Sequence, residues 1–279
     1  DMTQYLFQMD LIKLFHRCLW TKKINNSFKK LFLKLIRHYL KMLERKELLK
    51  TGKAKALYTT SDASKLIMEY RDDTSAFDGK KIEQIAGKGT VNNRFNSFIM
   101  EHLSKEGVAN HHLEESAPNE SIVMSLEMFP IECVVRNFAA GSICKRLGLE
   151  EASVMDPPIF EFFYKDDDLG DPLINDCHIT SFGWANEEDI EEMKKLTLQT
   201  NDILVKLFDS ADLILVDFKL EFGKSENKIY LGDEFTPDGC RVWDKETKKK
   251  LDKDRFRLGL GDVVESYQEI AHRLGVDLT

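Results

Sequence analysis

The sequence predicts a mixed fold of helices and antiparallel strands, on three observations. Lys55–Thr60 and Lys65–Tyr70 are short β-rich runs separated by a Ser61-Asp62 turn, which reads as an antiparallel pair. Residues 213–222 alternate, with Ile214, Val216, Phe218, Leu220 and Phe222 on one face and Asp217, Lys219 and Glu221 on the other. A turn over 223–227 then leads into a partner strand over 228–234. Residues 189–208 repeat Ile190, Met193, Leu196, Leu204, Leu207 and Phe208 at helical spacing after an acidic first turn. The 279 residues, 42% hydrophobic, suffice for one large domain or two smaller ones.

In chain order, residues 1–41 carry nine basic and two acidic residues, and Phe28, Leu31, Phe32, Leu35, Ile36 and Tyr39 recur at helical spacing. This predicts a basic amphipathic helix, read as an appendage to the active body, a helix packed on it or on a partner, or a targeting segment. Met42 is an alternative start. Residues 82–103 predict a helix interrupted near Gly87 and Gly89, and 121–128 and 131–138 two strands split by Pro130. Residues 141–147 predict a short helix ended by Gly148. Residues 156–178, with Pro157, Pro158, Gly170 and Pro172 around Asp166, Asp167 and Asp168, predict an irregular exposed stretch. A last helix spans 262–274.

Composition narrows the function. Forty Lys and Arg against 48 Asp and Glu give a net charge of −8, no general footprint for nucleic acid. No apolar run reaches the roughly 20 residues of a membrane span. Five cysteines without metal-ligand spacing predict a reducing, cytoplasmic setting.

Four places could carry chemistry. Gly52-Lys53-Ala54-Lys55 is a tight glycine-lysine turn that could close over phosphates or be a solvated hairpin; it lacks the Walker spacing. Asp217, Lys219 and Glu221 with Asp233 and Glu234 gather carboxylates around an ammonium, a set suited to magnesium and nucleotide phosphates. Period alone leaves open whether Asp233 or Glu234 faces Glu221, and in a regular strand the two point to opposite faces. Arg136-Asn137 followed by Ala140-Gly141-Ser142 is a strand-to-helix junction able to hold an anion. Asp238, Arg241 and Asp244 after Pro237 read as another polar loop. His111, His112 and His178 read as surface or structural residues.

Taken together, these segments resemble the SAICAR synthetase family. The likeness is carried by Gly52-Lys53-Ala54-Lys55, the Asp73 to Gly79 run, Val134-Val135-Arg136-Asn137 through Ala140-Gly141-Ser142, Gly170-Asp171-Pro172, the Leu215 to Gly223 run, Gly232-Asp233-Glu234, Pro237-Asp238 with Arg241, and Asp252-Lys253-Asp254-Arg255-Phe256-Arg257. They appear in the family's order from about Met42 to the C-terminus. The resemblance implies an α+β fold: a small antiparallel N-terminal domain (42–120) and a larger ATP-grasp-like domain (121–279), with ATP in the cleft between them. It implies ATP-dependent joining of 5-amino-1-(5-phosphoribosyl)imidazole-4-carboxylate (carboxyaminoimidazole ribonucleotide) to L-aspartate through an acyl phosphate, and a homodimer.

By position, the resemblance assigns Gly52, Lys53, Ala54, Lys55, Lys253 and Arg257 to the nucleotide, the last two from a segment that could close over it. Glu221 and Asp233 fall to Mg2+. Arg136, Ser142, Arg241 and Asp238 fall to the ribonucleotide, and Asp171 to the aspartate side. Lys219 and Asp217 are the catalytic candidates. Residues 1–41, and Cys177 where an acidic residue is common, depart from the pattern. A small-molecule kinase and a non-enzymatic nucleotide-binding module are the competing functions.

Overall fold

The computed structural model describes residues 43–76 and 81–279, and the predicted basic helix within 1–41 lies outside them. Residues Arg45–Thr279 form one compact unit. Its first sheet is antiparallel, in the order β1 (Arg45–Thr51), β2 (Lys55–Thr60), β3 (Lys65–Tyr70), β7 (Glu120–Met124), β6 (His112–Ala117). The predicted pair thus appears with its expected bounds as β2 and β3. A small hairpin, β4 (Asp73–Ala76) with β5 (Lys81–Gln84), precedes helix α1 (Lys88–Lys105). The expected helix over 82–103 is corrected here. Residues 82–84 are strand, and the helix starts only after Gly87, whose φ of 83° turns the chain. The Asp72 carboxylate accepts the Gly87 and Gly89 N–H groups at 3.1 and 2.9 Å, satisfying the start of that helix.

The second sheet runs β10 (Leu173–Ile174), β9 (Val154–Tyr164), β8 (Glu127–Phe138), β11 (Leu213–Ser225), β12 (Lys228–Gly232), with β13 (Cys240–Asp244) also on β11. Three expectations are corrected here. Pro130 does not split β8: it lies where the register with β11 shifts between Glu221 and Gly223, so its missing N–H leaves no rung unmade. Residues 156–164 are paired strand, not loop. Pro157 and Pro158 fall where the register with β8 jumps from Arg136↔Ile159 to Phe138↔Val154. The irregular stretch shrinks to 165–172, and α3 (Asp176–Ser181) follows β10. Residues 240–244 are strand rather than polar loop.

Helix α2 (Ser142–Leu147) ends at Gly148 in the left-handed conformation, as expected. Helix α4 (Glu187–Asp209) is capped by Asn186 and buries Met193, Leu204 and Phe208 in the main core with Phe218, Leu220 and Phe222 of β11. Helices α5 (Asp254–Leu258) and α6 (Val263–Arg273) close the chain. No helix among the described residues is long and apolar enough to cross a membrane.

Candidate active site

Strand β11 is the spine of the site, and a bulge at Val216 shapes it. Leu215 pairs with Val242 but Asp217 with Arg241, leaving one extra residue. The predicted even-odd division is therefore corrected: Leu213 and Leu215 join the main core before the bulge, and Phe218, Leu220 and Phe222 join it after. Ile214 and Val216 pack instead with Ala140 and Trp243. Such an insertion re-aims the side chains beyond it. Strands β12 and β13 share the edge of β11 opposite β8, and the chain between them, 233–239, crosses beside Lys219.

The bulge leaves Asp217 directly between Arg136 on β8 and Arg241 on β13. Both guanidiniums donate to Asp217 Oδ2, at 3.0 and 2.8 Å. Burial pushes the Asp217 carboxyl up, and the two arginines oppose that. Arg136 also donates to Glu161 at 2.8 Å and reaches Ser142 Oγ at 3.4 Å, while Arg241 donates to Asp254 at 2.8 Å. A Cβ on Gly141 would come within 2.4 Å of the Arg241 guanidinium, so glycine there lets the α2 junction lie against it. The two guanidiniums, held by Asp217, Glu161 and Asp254, converge beside a hydroxyl in a corner with the donor types an anion needs.

Four residues along, Glu221 faces Glu132 across the β8 ladder, a like-charge pair that costs stability without a cation. Lys219 supplies one, at 2.5 Å from Glu221, 3.2 Å from Glu132 and 3.5 Å from Asp233, and Lys165 pairs with the other oxygen of Glu221. Lys55 from the glycine turn pairs with Asp233 and lies 3.1 Å from Glu234. Burial works against the charges of Lys55 and Lys219, yet the surrounding carboxylates push both pKa values up. Asp233 is held well below the usual carboxylate range by these lysines despite burial.

The question left open by the sequence is answered here. Strand β12 stops at Gly232, Asp233 takes a φ of 56°, and alternation ends, so Asp233 and Glu234 both reach Lys55. Their expected opposite orientation is thereby corrected. His111 reinforces the turn, its Nε2 donating to the Asp233 carbonyl at 2.7 Å. Its pKa is pushed down to about 4, chiefly by burial. Its structural role agrees with the sequence.

In the glycine turn, Gly52 N–H donates to the Lys55 carbonyl at 2.8 Å and the Ala54 carbonyl accepts from Arg71 N–H. A Cβ at Gly52 would make only an ordinary 3.6 Å contact, so packing does not demand glycine. Lys53 pairs with Asp167 at 2.8 Å across a pocket of about 410 Å³ lined by Gly52, Arg71, Asp73, Ser75 and Asp168. Asp171 accepts from the Asp166 N–H at 3.0 Å, tied into its own loop. Lys253 precedes α5 and is largely buried; Arg257 pairs with Asp254 at 2.6 Å.

Among the described residues no three His, Cys, Asp or Glu side chains group as a self-sufficient metal site. Glu221 and Asp233 are the carboxylates suited to a cation, because one ammonium already lies between them. Two carboxylates completed by substrate phosphates is how magnesium is usually held.

A family model described as SAICAR synthetase matches residues 48–274. The chain belongs to the SAICAR synthetase family. A phosphoribosylaminoimidazole-succinocarboxamide synthase of Psychrobacter cryohalolentis is 58% identical over 237 residues, covering 85% of this chain and 100% of the relative. A crystal structure of that synthase from Ehrlichia chaffeensis superposes with a TM-score of 0.81 at 42% identity, covering 83% of this chain and 99% of the other. A SAICAR synthetase in complex with ADP gives 0.79 at 42% identity, covering 84% and 98%. As a SAICAR synthetase, the chain is an ATP-dependent ligase of purine biosynthesis.

Sequence reasoning missed Glu132, Lys165 and Glu161, which pair with Lys219, Glu221 and Arg136, and Lys88, Asn92 and Tyr267, which all hydrogen-bond the predicted site residue Asp238. Glu132 had a signal: it alternates with Val134 and Arg136 on one strand. The others reach the site from distant elements, and local spacing carries no trace of that.

Proposed function

We propose that the two clusters on β11 divide the labour of the family reaction, ATP-dependent ligation of 5-amino-1-(5-phosphoribosyl)imidazole-4-carboxylate with L-aspartate. The observation that carries this is their adjacency: the guanidinium corner at Asp217 and a lysine-carboxylate cluster at Lys219, Glu221 and Asp233, two residues apart on one strand. Arg136, Ser142 and Arg241 grip the ribonucleotide, chiefly its phosphate, and Asp238 helps to orient it. Lys53 and Lys55 meet the ATP phosphates from the glycine turn, and Lys253 and Arg257 close over the nucleotide. Glu221 and Asp233 would hold Mg2+, whose charge would offset that of the phosphates.

The chemistry needs an activated carboxylate. A carboxylate oxygen of the ribonucleotide attacks the γ-phosphorus as the bond to ADP breaks. The aspartate amine then attacks the acyl carbon, phosphate leaves, and the amine gives up a proton. Lys219, held among three carboxylates, is placed to neutralise charge on the transferring group. Asp217 keeps the two arginines aligned. Asp171 is assigned to the aspartate side.

The finer architecture belongs to the same proposal: two domains, the second ATP-grasp-like, with ATP between them, their boundary moved from residue 120 to beyond Met124 because β7 pairs with β3 and β6 in the first sheet. It is supported by Lys53 in the turn between β1 and β2 and Lys55 at the start of β2, which reach to Asp167 in the loop after β9 and Asp233 just beyond β12. A homodimer and a cytoplasmic setting complete it.

The test is a coupled ADP assay with each substrate omitted in turn. ADP release should require ATP, the ribonucleotide and L-aspartate together. Undiminished release without L-aspartate would favour a kinase and sink the proposal.

A further inference from the structure

The carboxylate of Asp238 is turned away from solvent and fully engaged by protein. Its Oδ2 accepts from Lys88 Nζ at 2.6 Å and Asn92 Nδ2 at 2.8 Å, one turn apart on α1. Its Oδ1 accepts from the Tyr267 hydroxyl of α6 at 2.9 Å. The Lys88 side chain is 0% exposed and that of Asp238 4%, so neither is solvated and each depends on the other. With three donors on two oxygens, Asp238 has little capacity left for a substrate. One further group faces it: Lys253 Nζ, 3.8 Å from Oδ1, on a side chain only 11% exposed.

We propose that Asp238 is a positioning residue, an internal anion clamped by Lys88, Asn92 and Tyr267 that holds the Lys253 ammonium in place and charged. The inference replaces the orienting contact given to Asp238 above, since protein donors occupy both its oxygens, and rests on Lys253 lying at the nucleotide. The groups facing Lys253 explain why it needs an anion. Burial disfavours its charge, Arg257 and Lys88 repel it, and Asp238 with Glu234 attracts it; the balance leaves its pKa below the ordinary lysine value. Lys55 and Lys219 are pushed the other way. As pH rises, Lys253 is therefore the first of these three lysines to lose its charge. Asp238 itself stays ionised, since Lys253, Lys88 and Tyr267 hold it well below the usual carboxylate range against the cost of burial.

The experiment is kcat/KM for ATP as a function of pH, at saturating ribonucleotide and L-aspartate, in the full chain. The parent should lose activity on an alkaline limb. Lys253→Arg, which keeps its charge at every accessible pH, should lose that limb while retaining measurable turnover. Asp238→Asn combined with Lys88→Met removes the anion and the buried cation that depends on it. Its limb should move to lower pH, because the attraction of Asp238 outweighs the repulsion of Lys88 that the variant also removes. If the double variant fails to fold, Lys253→Arg alone decides, because it alters nothing closer to Asp238 than 3.8 Å. A limb that persists unchanged in Lys253→Arg, or does not move in a folded double variant, overturns the proposal. A parent that turns over without the ribonucleotide or L-aspartate would instead overturn the functional assignment beneath it.

Discussion

The two clusters on β11 both set cations among carboxylates, but one uses guanidiniums and the other ammoniums. At Asp217, two guanidiniums share one carboxylate, and each is held from its other side by a second one, Arg136 by Glu161 and Arg241 by Asp254. At Lys219, carboxylates from β8, β11 and the 233–234 turn surround the ammonium, Lys55 pairs with both carboxylates of that turn, and the lysines are held charged by acid groups rather than by water. Arginine and lysine suit these tasks differently. A planar fork reads a fixed phosphate, whereas an ammonium on a flexible stem can leave a carboxylate for a phosphate and let a metal take its place. The ladder enforces the difference: Asp217 lies between two arginines, and Glu221 lies opposite a glutamate.

The strongest way to break the comparison is to remove charge from the lysine cluster. Glu221→Gln and Asp233→Asn should lower turnover by roughly 10² or more, the scale of a lost transition-state electrostatic contact. Raised magnesium should recover part of it. Near-parental turnover would mean that these carboxylates only balance lysines. Glu234→Gln sharpens the same point. Glu234 pairs with Lys55, while Asp233 pairs with both Lys55 and Lys219, so its loss should cost only a few-fold in turnover. A Glu234→Gln effect larger than that of Asp233→Asn would move the proposed metal ligand by one residue.

The smallest effect concerns stability. An unfolded histidine titrates near 6.5, whereas burial pushes folded His111 down to about 4. Between those values the unfolded chain binds a proton that the folded chain refuses, so stability falls as pH drops through that window. The loss is on the order of 3 kcal/mol at its fullest. His111→Gln keeps an N–H donor for the Asp233 carbonyl and should flatten the drop in urea midpoint between pH 7 and 4.5. An equal drop in parent and variant would assign it to other groups.

What could be read from the sequence follows from what periodicity records. Strands β2 and β3, helix α4 and the turn into β12 were legible because their side chains alternate or recur against a single core. The bulge at Val216 was not, since a one-residue insertion leaves an unbroken apolar pattern on either side. Pro130 and Pro157 were misleading for the opposite reason: each lies at a register shift, where a missing N–H costs no ladder bond. In the site, residues clustered in sequence, such as Asp217, Lys219 and Glu221, were visible. Lys88, Asn92 and Tyr267 were not, because they converge on Asp238 from two helices more than a hundred residues apart.

The most direct test is a crossed calorimetric titration of magnesium-ADP and of the ribonucleotide against Glu221→Gln and Arg241→Ala. Glu221→Gln should weaken magnesium-ADP by tenfold or more and leave the ribonucleotide within a few-fold, and Arg241→Ala should do the reverse, by the scale of a charge-assisted hydrogen bond. Equal losses of both ligands in either folded variant would contradict a division of labour between the two clusters.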